Sequence, residues 1–285
     1  MRAPRVDLAS ASDIGRVRQR NEDHFAVADL TKNLRVLQSN LADAAPSDER
    51  CGYVFLVADG MGGVAGGARA SELAIRSLLD DLVDDVPWFL DDRPATAGSR
   101  KATEQHHEAD VELQRALAVS HRRVLEAARR ELQHRGMGTT LTMALVVWPE
   151  LYVAHVGDSR CYLQRGRRLH QLTRDDTMAQ RLVEGGSMSK DQARSSRLSH
   201  MLTQVLGGAG DAIEPQIVRR TLEPGDRLLL TTDGLHGELS DRELELLAVD
   251  APDAETLCRK AIDAANAAGG RDNSTLITAF FADTL

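Results

Sequence analysis

The feature that most constrains this chain is a set of aspartates, each closing a short apolar run beside glycine, serine or asparagine. They are Asp59 in Val57-Ala58-Asp59-Gly60-Met61-Gly62-Gly63 and Asp158 in His155-Val156-Gly157-Asp158-Ser159-Arg160. Asp233 in Leu230-Thr231-Thr232-Asp233-Gly234 and Asp272 in Arg271-Asp272-Asn273-Ser274-Thr275 complete it. A carboxylate at the mouth of a buried strand is costly unless something positive meets it. Sites so alike in context and so far apart in sequence point to carboxylates converging on hard divalent cations.

The strand and helix signals around them define the expected fold. Tyr53 to Ala58 is a continuous apolar run and reads as the first strong strand, buried on both faces. A glycine-rich turn, Gly60 to Gly67, leads into a helix from about Ser71 to Val86. Its Ile75, Leu78, Leu79, Leu82 and Val83 form one stripe, and Pro87 ends it. Residues 91–107 are polar and read as an exposed loop, followed by a helix over about 108–134. Strand signals then crowd together at 140–148, 151–156 and 160–164, spaced as an antiparallel meander. The segment 175–210 is polar and glycine-rich, too long for a plain connection, and reads as a functional flap. Strands at 217–221, 226–232 and 274–281 and helices at 241–248 and 254–267 complete an α+β pattern. No linker divides the chain, so residues 1–285 read as one domain.

Bulk properties exclude several function classes. The net charge of -8 lacks the basic footprint of a nucleic-acid binder. No run approaches a membrane span, and Met1 to Asp13 has no apolar leader core. Cys51, Cys161 and Cys258 show neither pairing nor metal-ligand spacing, which fits a cytoplasmic chain.

One further motif bears on chemistry: Arg18-Gln19-Arg20-Asn21-Glu22-Asp23 joins two acids to an arginine. Arginine forks onto phosphate oxygens, so the combination points to phosphate-ester chemistry at a metal centre. Taken singly, each Asp-Gly is an ordinary turn and Glu22-Asp23 an ordinary solvated pair. The glycine-rich turn lacks the lysine of a P-loop. His24, His155 and His200 stand alone and read as structural.

Together and in this order, Arg18…Glu22-Asp23, the Asp59-Gly60 motif, Gly138-Thr139-Thr140, the Asp158 motif, Leu172-Thr173…Asp175-Asp176, the Asp233-Gly234 motif and Arg271-Asp272-Asn273-Ser274-Thr275 closely resemble the bacterial branch of the protein phosphatase 2C, or metal-dependent PPM, family. The resemblance runs from about Ser12 to Phe281. It implies a four-layer α/β/β/α sandwich of two antiparallel sheets flanked by paired helices. It also implies two Mn2+ or Mg2+ ions, with a third, looser one. Asp59 would bridge the pair, the Gly60 carbonyl would ligate one ion, and Asp233 and Asp272 the other. Glu22 and Asp23 would act through water, Asn273 from behind, and Asp158 with Asp233 would hold the third ion. Arg18 would grip the phosphate, and a water bridging the metals would attack phosphorus.

The substrates so implied are phosphoserine and phosphothreonine proteins, targets of a Ser/Thr kinase, and the form implied is a monomer. The alternative is an inactive phosphatase-like scaffold. In two places the chain departs from the pattern. Met61 stands where animal members carry a histidine, and Asp175-Asp176-Thr177 stands where many relatives have Asp-His-Ser.

Overall fold

A computed structural model describes residues 4–30, 34–39, 52–84, 100–130 and 132–282. Its strands and helices are, in chain order, β1 (Arg5–Asp13), β2 (Asp23–Leu30), β3 (Leu34–Ser39), β4 (Gly52–Met61), α1 (Gly63–Asp84), α2 (Arg100–Arg130), β5 (Gly138–Thr139), β6 (Leu141–Val147), β7 (Glu150–Val156), β8 (Arg160–Arg165) and β9 (Arg168–Gln171). The short α3 (Met178–Glu184) and α4 (Lys190–Arg194), a 3-10 turn at Arg197–His200, and β10 (Leu206–Gly207) follow. The chain finishes with β11 (Gln216–Thr221), β12 (Arg227–Thr231), α5 (Asp233–His236), α6 (Asp241–Asp250), α7 (Ala254–Ala268) and β13 (Ser274–Ala282).

Side-chain alternation along the strands builds the layers. On β4, Val54, Leu56 and Ala58 pack with Ile75 and Leu78 of α1 and Leu113 and Leu117 of α2. The intervening Phe55 and Val57 face the second sheet, meeting Leu228, Leu230, Ile277 and Phe281. The far face of that sheet, with Tyr162, Leu229, Leu276 and Phe280, is covered by Leu244 of α6 and Leu257, Ala261 and Ala265 of α7. The result is the expected α/β/β/α sandwich. Strands apolar on both faces explain why β4 and β12 read as continuous apolar runs.

The sheets are antiparallel, ordered β1-β13-β12-β8-β9 in one. The other runs β10-β5-β4-β6-β7-β11, with β2 pairing β4 and β3. Three expectations need correcting. The meander is broken: β7 pairs β6 and β11, whereas β8 pairs β12 and β9 in the opposite sheet. The chain changes layers at Gly157-Asp158-Ser159. Residues 100–107 are the first turns of α2, not loop, while 91–99 lie outside the described residues. The chain also begins with β1, β2 and β3, ahead of the strand that reads as first. Arg5 to Asp13 alternates small and polar residues, and only its nine-residue pairing with β13 makes it a strand.

Candidate active site

Strand register gathers the acids. Asp23, the first residue of β2, pairs with Asp59 near the end of β4. At the same end of the second sheet, Thr231 closes β12 opposite Leu276 of β13 and Arg160 of β8. Residues just past these ends, Asp233, Asp272 and Asp158, therefore emerge along one edge of the sandwich. Their fields overlap: Asp59 senses Asp23, Asp233 and Asp158, and Asp158 senses Asp233.

Each group is fixed by its backbone surroundings. The Asp59 N–H donates to Thr140 Oγ1 at 3.0 Å, and its carbonyl accepts from the Thr140 N–H and Thr139 Oγ1. A Cβ on Gly60 would strike the Gly67 carbonyl and lie 2.7 Å from the Glu22 carbonyl. One on Gly67 would lie 2.8 Å from the Glu22 carboxylate. These glycines serve close packing. Most of the expected Gly60–Gly67 turn is the start of α1, which begins at Gly63 and not near Ser71. It presses against the end of β4 with Glu22 beside it.

The N-terminal loop is tied to the C-terminal one by Asn273. Its Oδ1 accepts from the Glu22 N–H at 2.8 Å, and its Nδ2 donates to the carbonyls of Ile14 and Arg20. Asp23 points inward. Its Oδ2 accepts from Thr232 Oγ1 at 2.8 Å and Thr275 Oγ1 at 2.7 Å, joining the two sheets beneath the cluster. Arg18 lies at the rim, half exposed, and donates to Asp272 Oδ2 at 2.6 Å.

The layer-switching turn is held by partners that the sequence does not advertise. Asp176, buried, accepts the Gly157 N–H on its Oδ2 at 3.0 Å, and its own N–H donates to the Gly157 carbonyl at 2.7 Å. His155 Nε2 donates to that same carbonyl at 2.9 Å. His236 Nε2 donates to the Asp158 carbonyl at 3.0 Å. Burial, reinforced by Arg160, drops the His236 imidazole to about 3, so it stays neutral. Asp175 takes the Arg160 guanidinium at 2.6 Å, and Thr177 caps α3. The departure at 175–177 therefore anchors the turn under Asp158 and starts the following helix.

Electrostatically the edge is unbalanced. Burial first, and neighbouring carboxylates second, push Asp59 and Asp158 well above the usual carboxylate range. Asp233 is raised by burial and Asp272, and Asp23 is lifted to about 7 by burial. Burial also raises Glu22. Asp233 Oδ1 is buried with no hydrogen-bond partner. Among the described residues no three His, Cys, Asp or Glu side chains form a ready-made coordination group. The donor set nevertheless suits a hard cation, being carboxylates plus a strand-end carbonyl, with one orphaned carboxylate oxygen.

Comparison with known proteins decides the family. The family model described as protein phosphatase 2C matches residues 37–269. The chain belongs to the protein phosphatase 2C family. Among curated relatives of this phosphatase-family chain, it is 34% identical over 235 residues to the serine/threonine protein phosphatase PstP of Mycobacterium tuberculosis, covering 81% of this chain and 40% of that one. The chain thus spans well under half the length of that relative. Protein phosphatase PhpP of Streptococcus pneumoniae is 34% identical, with 78% and 83% covered, and the serine/threonine phosphatase stp of Listeria monocytogenes 31%, with 93% and 92% covered. A PstP catalytic-domain structure in complex with two manganese ions superposes with a TM-score of 0.72 at 30% identity, covering 98% of this chain and 99% of that one.

Within this family member, sequence reasoning found the acids, Arg18 and Asn273, and the fold brings them to one edge. It included Thr140, Thr232 and Thr275 within the motifs but gave their hydroxyls no role, and it missed the buried His236. The available signal was polar residues inside otherwise apolar strand ends. His24 and His155 are structural as expected. His24 Nδ1 lies 2.9 Å from Ser71 Oγ, and His155 bridges Thr142 and Gly157. His200 is exposed at the end of the 3-10 turn.

Proposed function

We propose that this chain is a metal-dependent phosphatase that hydrolyses phosphoserine and phosphothreonine in proteins. The observation carrying this reading is the carboxylate cluster, which crowds like charges and leaves Asp233 Oδ1 unsatisfied near the rim arginine Arg18. Asp59, the Gly60 carbonyl, Asp233 and Asp272 would hold two Mn2+ or Mg2+ ions. Asp158 with Asp233 offers a third position, and Glu22 flanks the pair. Asp23, already bound by two threonine hydroxyls, orients the cluster from beneath. When bound, the ions lower the pKa of water and neutralise charge on phosphoryl oxygens.

The chain's own groups do the rest. The Arg18 guanidinium is half exposed and tethered at one end only to Asp272, so it can turn its fork to the phosphate. Asn273 keeps Arg18 and Glu22 on one rigid loop. Water attacks phosphorus in line with the departing Ser or Thr oxygen, and electrostatic stabilisation of the phosphoryl oxygens carries most of the catalysis. A cysteinyl nucleophile is not supported by the described thiols. Cys161 and Cys258 are buried and their thiols pushed up, Cys258 to about 11.

The substrates in this reading are targets of a Ser/Thr kinase, and the chain acts as a cytoplasmic monomer. Two observations support the location. No helix of the described residues is long and apolar enough to cross a membrane. Cys161 and Cys258 are free thiols, as a reducing compartment allows. Residues 1–285 work as one domain, with 175–210 as a flap beside the metals, because both sheets share one inter-sheet core.

The test is hydrolysis of para-nitrophenyl phosphate and a phosphothreonine peptide with and without manganese, with Asp233→Asn as control. Manganese-dependent turnover lost in the variant is the expected result. No turnover by folded, metal-loaded wild type would favour the scaffold alternative.

A further inference from the structure

A phosphorylated peptide brings more than its phosphate, and the rim of the edge holds a cation that the chemistry above does not use. Arg16 lies in the turn between β1 and β2, two residues before Arg18, and is exposed. Its backbone N–H donates to the Gly270 carbonyl at 2.6 Å. A Cβ on Gly270, where φ is +55°, would come within 2.8 Å of the Arg16 Cγ, so the side-chain stem lies along that glycine. Gly15 packs as tightly: a Cβ there would strike the Asp272 carbonyl and lie 2.7 Å from that of Gly270. The turn bearing Arg16 is thus clamped onto 270–272, the segment that presents Asp272 to the cluster.

The carboxylates around this turn are already committed. Asp13 Oδ1 accepts from the Gly15 N–H at 2.8 Å and from Asn266 Nδ2 at 3.1 Å. Asp272 holds Arg18 at 2.6 Å, and Glu238 holds Arg271 at 2.9 Å. Among the described residues the Arg16 guanidinium has no ion pair. A chain of net charge -8 repels an anionic substrate at long range. Attraction must therefore come from fixed cations within a Debye length of the phosphate.

We propose that Arg16 is a specificity-determining residue that binds a second anion on the substrate, a carboxylate or a further phosphate near the phosphorylated residue. Arg18 takes the phosphate to be cleaved, and Arg16 takes its neighbour. An extended peptide advances about 3.3 Å per residue, so the span of the turn corresponds to a second anion two or three residues from the first. The preferred substrates are acidic or doubly phosphorylated segments. The inference rests on the phosphatase reading above and names the substrate class of that site.

Three phosphothreonine peptides test this on the manganese-loaded protein. One carries flanking aspartates, one a second phosphothreonine and one flanking asparagines at the same places. KM for at least one anionic peptide should lie about fivefold below that for the asparagine peptide, the scale of one exposed ion pair, with similar kcat. Which of the two gains tells carboxylate from phosphate. The advantage should fade at about 1 M salt, where the Debye length is about 3 Å. It should vanish in Arg16→Ala, reverse in Arg16→Glu and persist in Arg16→Lys, which keeps the charge. Phosphonate analogues of the peptides should bind in the same order by fluorescence anisotropy, without turnover. No anionic preference in wild type, or one that survives Arg16→Ala and Arg16→Glu, would overturn the assignment. Absent turnover with the anisotropy preference intact would overturn the phosphatase reading and leave Arg16 as an anion-binding residue.

Discussion

Two sets of buried or half-buried acids are treated in opposite ways in this fold. Asp175, Asp226 and Glu238 each meet an arginine: Arg160 at 2.6 Å, Arg165 at 2.7 Å and Arg271 at 2.9 Å. Burial alone would raise Asp175, but Arg160 overrides it and holds the carboxyl below the usual range, while Arg271 does the same for Glu238. Asp59, Asp158 and Asp233 receive no such partner, and their carboxyls are pushed up by burial and by one another. A chain that neutralises its structural acids so thoroughly has left this group for cations from solution. The lesson is that an uncompensated cluster beside compensated ones marks the site more sharply than acidity does.

The contrast can be broken in several places. The largest effect is expected from Asp233→Asn, which should reduce manganese-dependent turnover by more than about 1,000-fold. The same change removes a crowded charge, so the metal-free variant should be at least as stable to urea as metal-free wild type. A destabilised variant would mean that Asp233 is a structural acid after all.

Arg160→Ala should do the reverse, costing roughly 3 kcal/mol in urea denaturation because it leaves Asp175 buried and unpaired. An unaltered midpoint would remove the distinction between the two sets.

The pH dependence sharpens the comparison further. Asp23 titrates about 7 in the fold against 3.8 for the free group, so the folded chain binds the extra proton between those values. Stability of metal-free protein should therefore fall as pH rises through that window, with the loss complete above about 7. Melting scans with chelator should show a drop of about 5 °C from pH 5 to pH 8, and manganese should flatten or reverse it. A metal-free Tm that rises over this range would contradict the upward shift that burial imposes on Asp23.

The smallest effect belongs to the rim. Arg18→Ala should raise KM for a phosphopeptide by roughly tenfold with a smaller loss in kcat, because one exposed ion pair is lost and the metals remain. Equal changes in both parameters would assign Arg18 to the chemistry instead.

How much was legible depended on whether a residue's signal is local. Asp59-Gly60 and Asp233-Gly234 announce themselves because a buried strand that ends in a carboxylate and a glycine is unusual over a few residues. The helices of the outer layers were legible for a similar reason, their apolar stripes being periodic. β1 was not, since its alternation is weak and its order comes from β13, over 260 residues away. The change of sheet at Gly157-Asp158-Ser159 was equally hidden, because adjacent strands with short turns look the same whether they pair or part.

The sequence by itself determined the α+β run of strands and helices and the candidate acids, because apolar patterns and strand-end carboxylates are written in consecutive residues. The four layers were implied by its resemblance to a known family. Only the tertiary structure decided which of those acids share an edge and which are answered by an arginine. It alone set Asn273 across the N-terminal loop and bound Asp23 with Thr232 and Thr275. Those outcomes depend on register and on which sheet a strand joins, and a charge is compensated or left bare by neighbours that are near in space and remote along the chain.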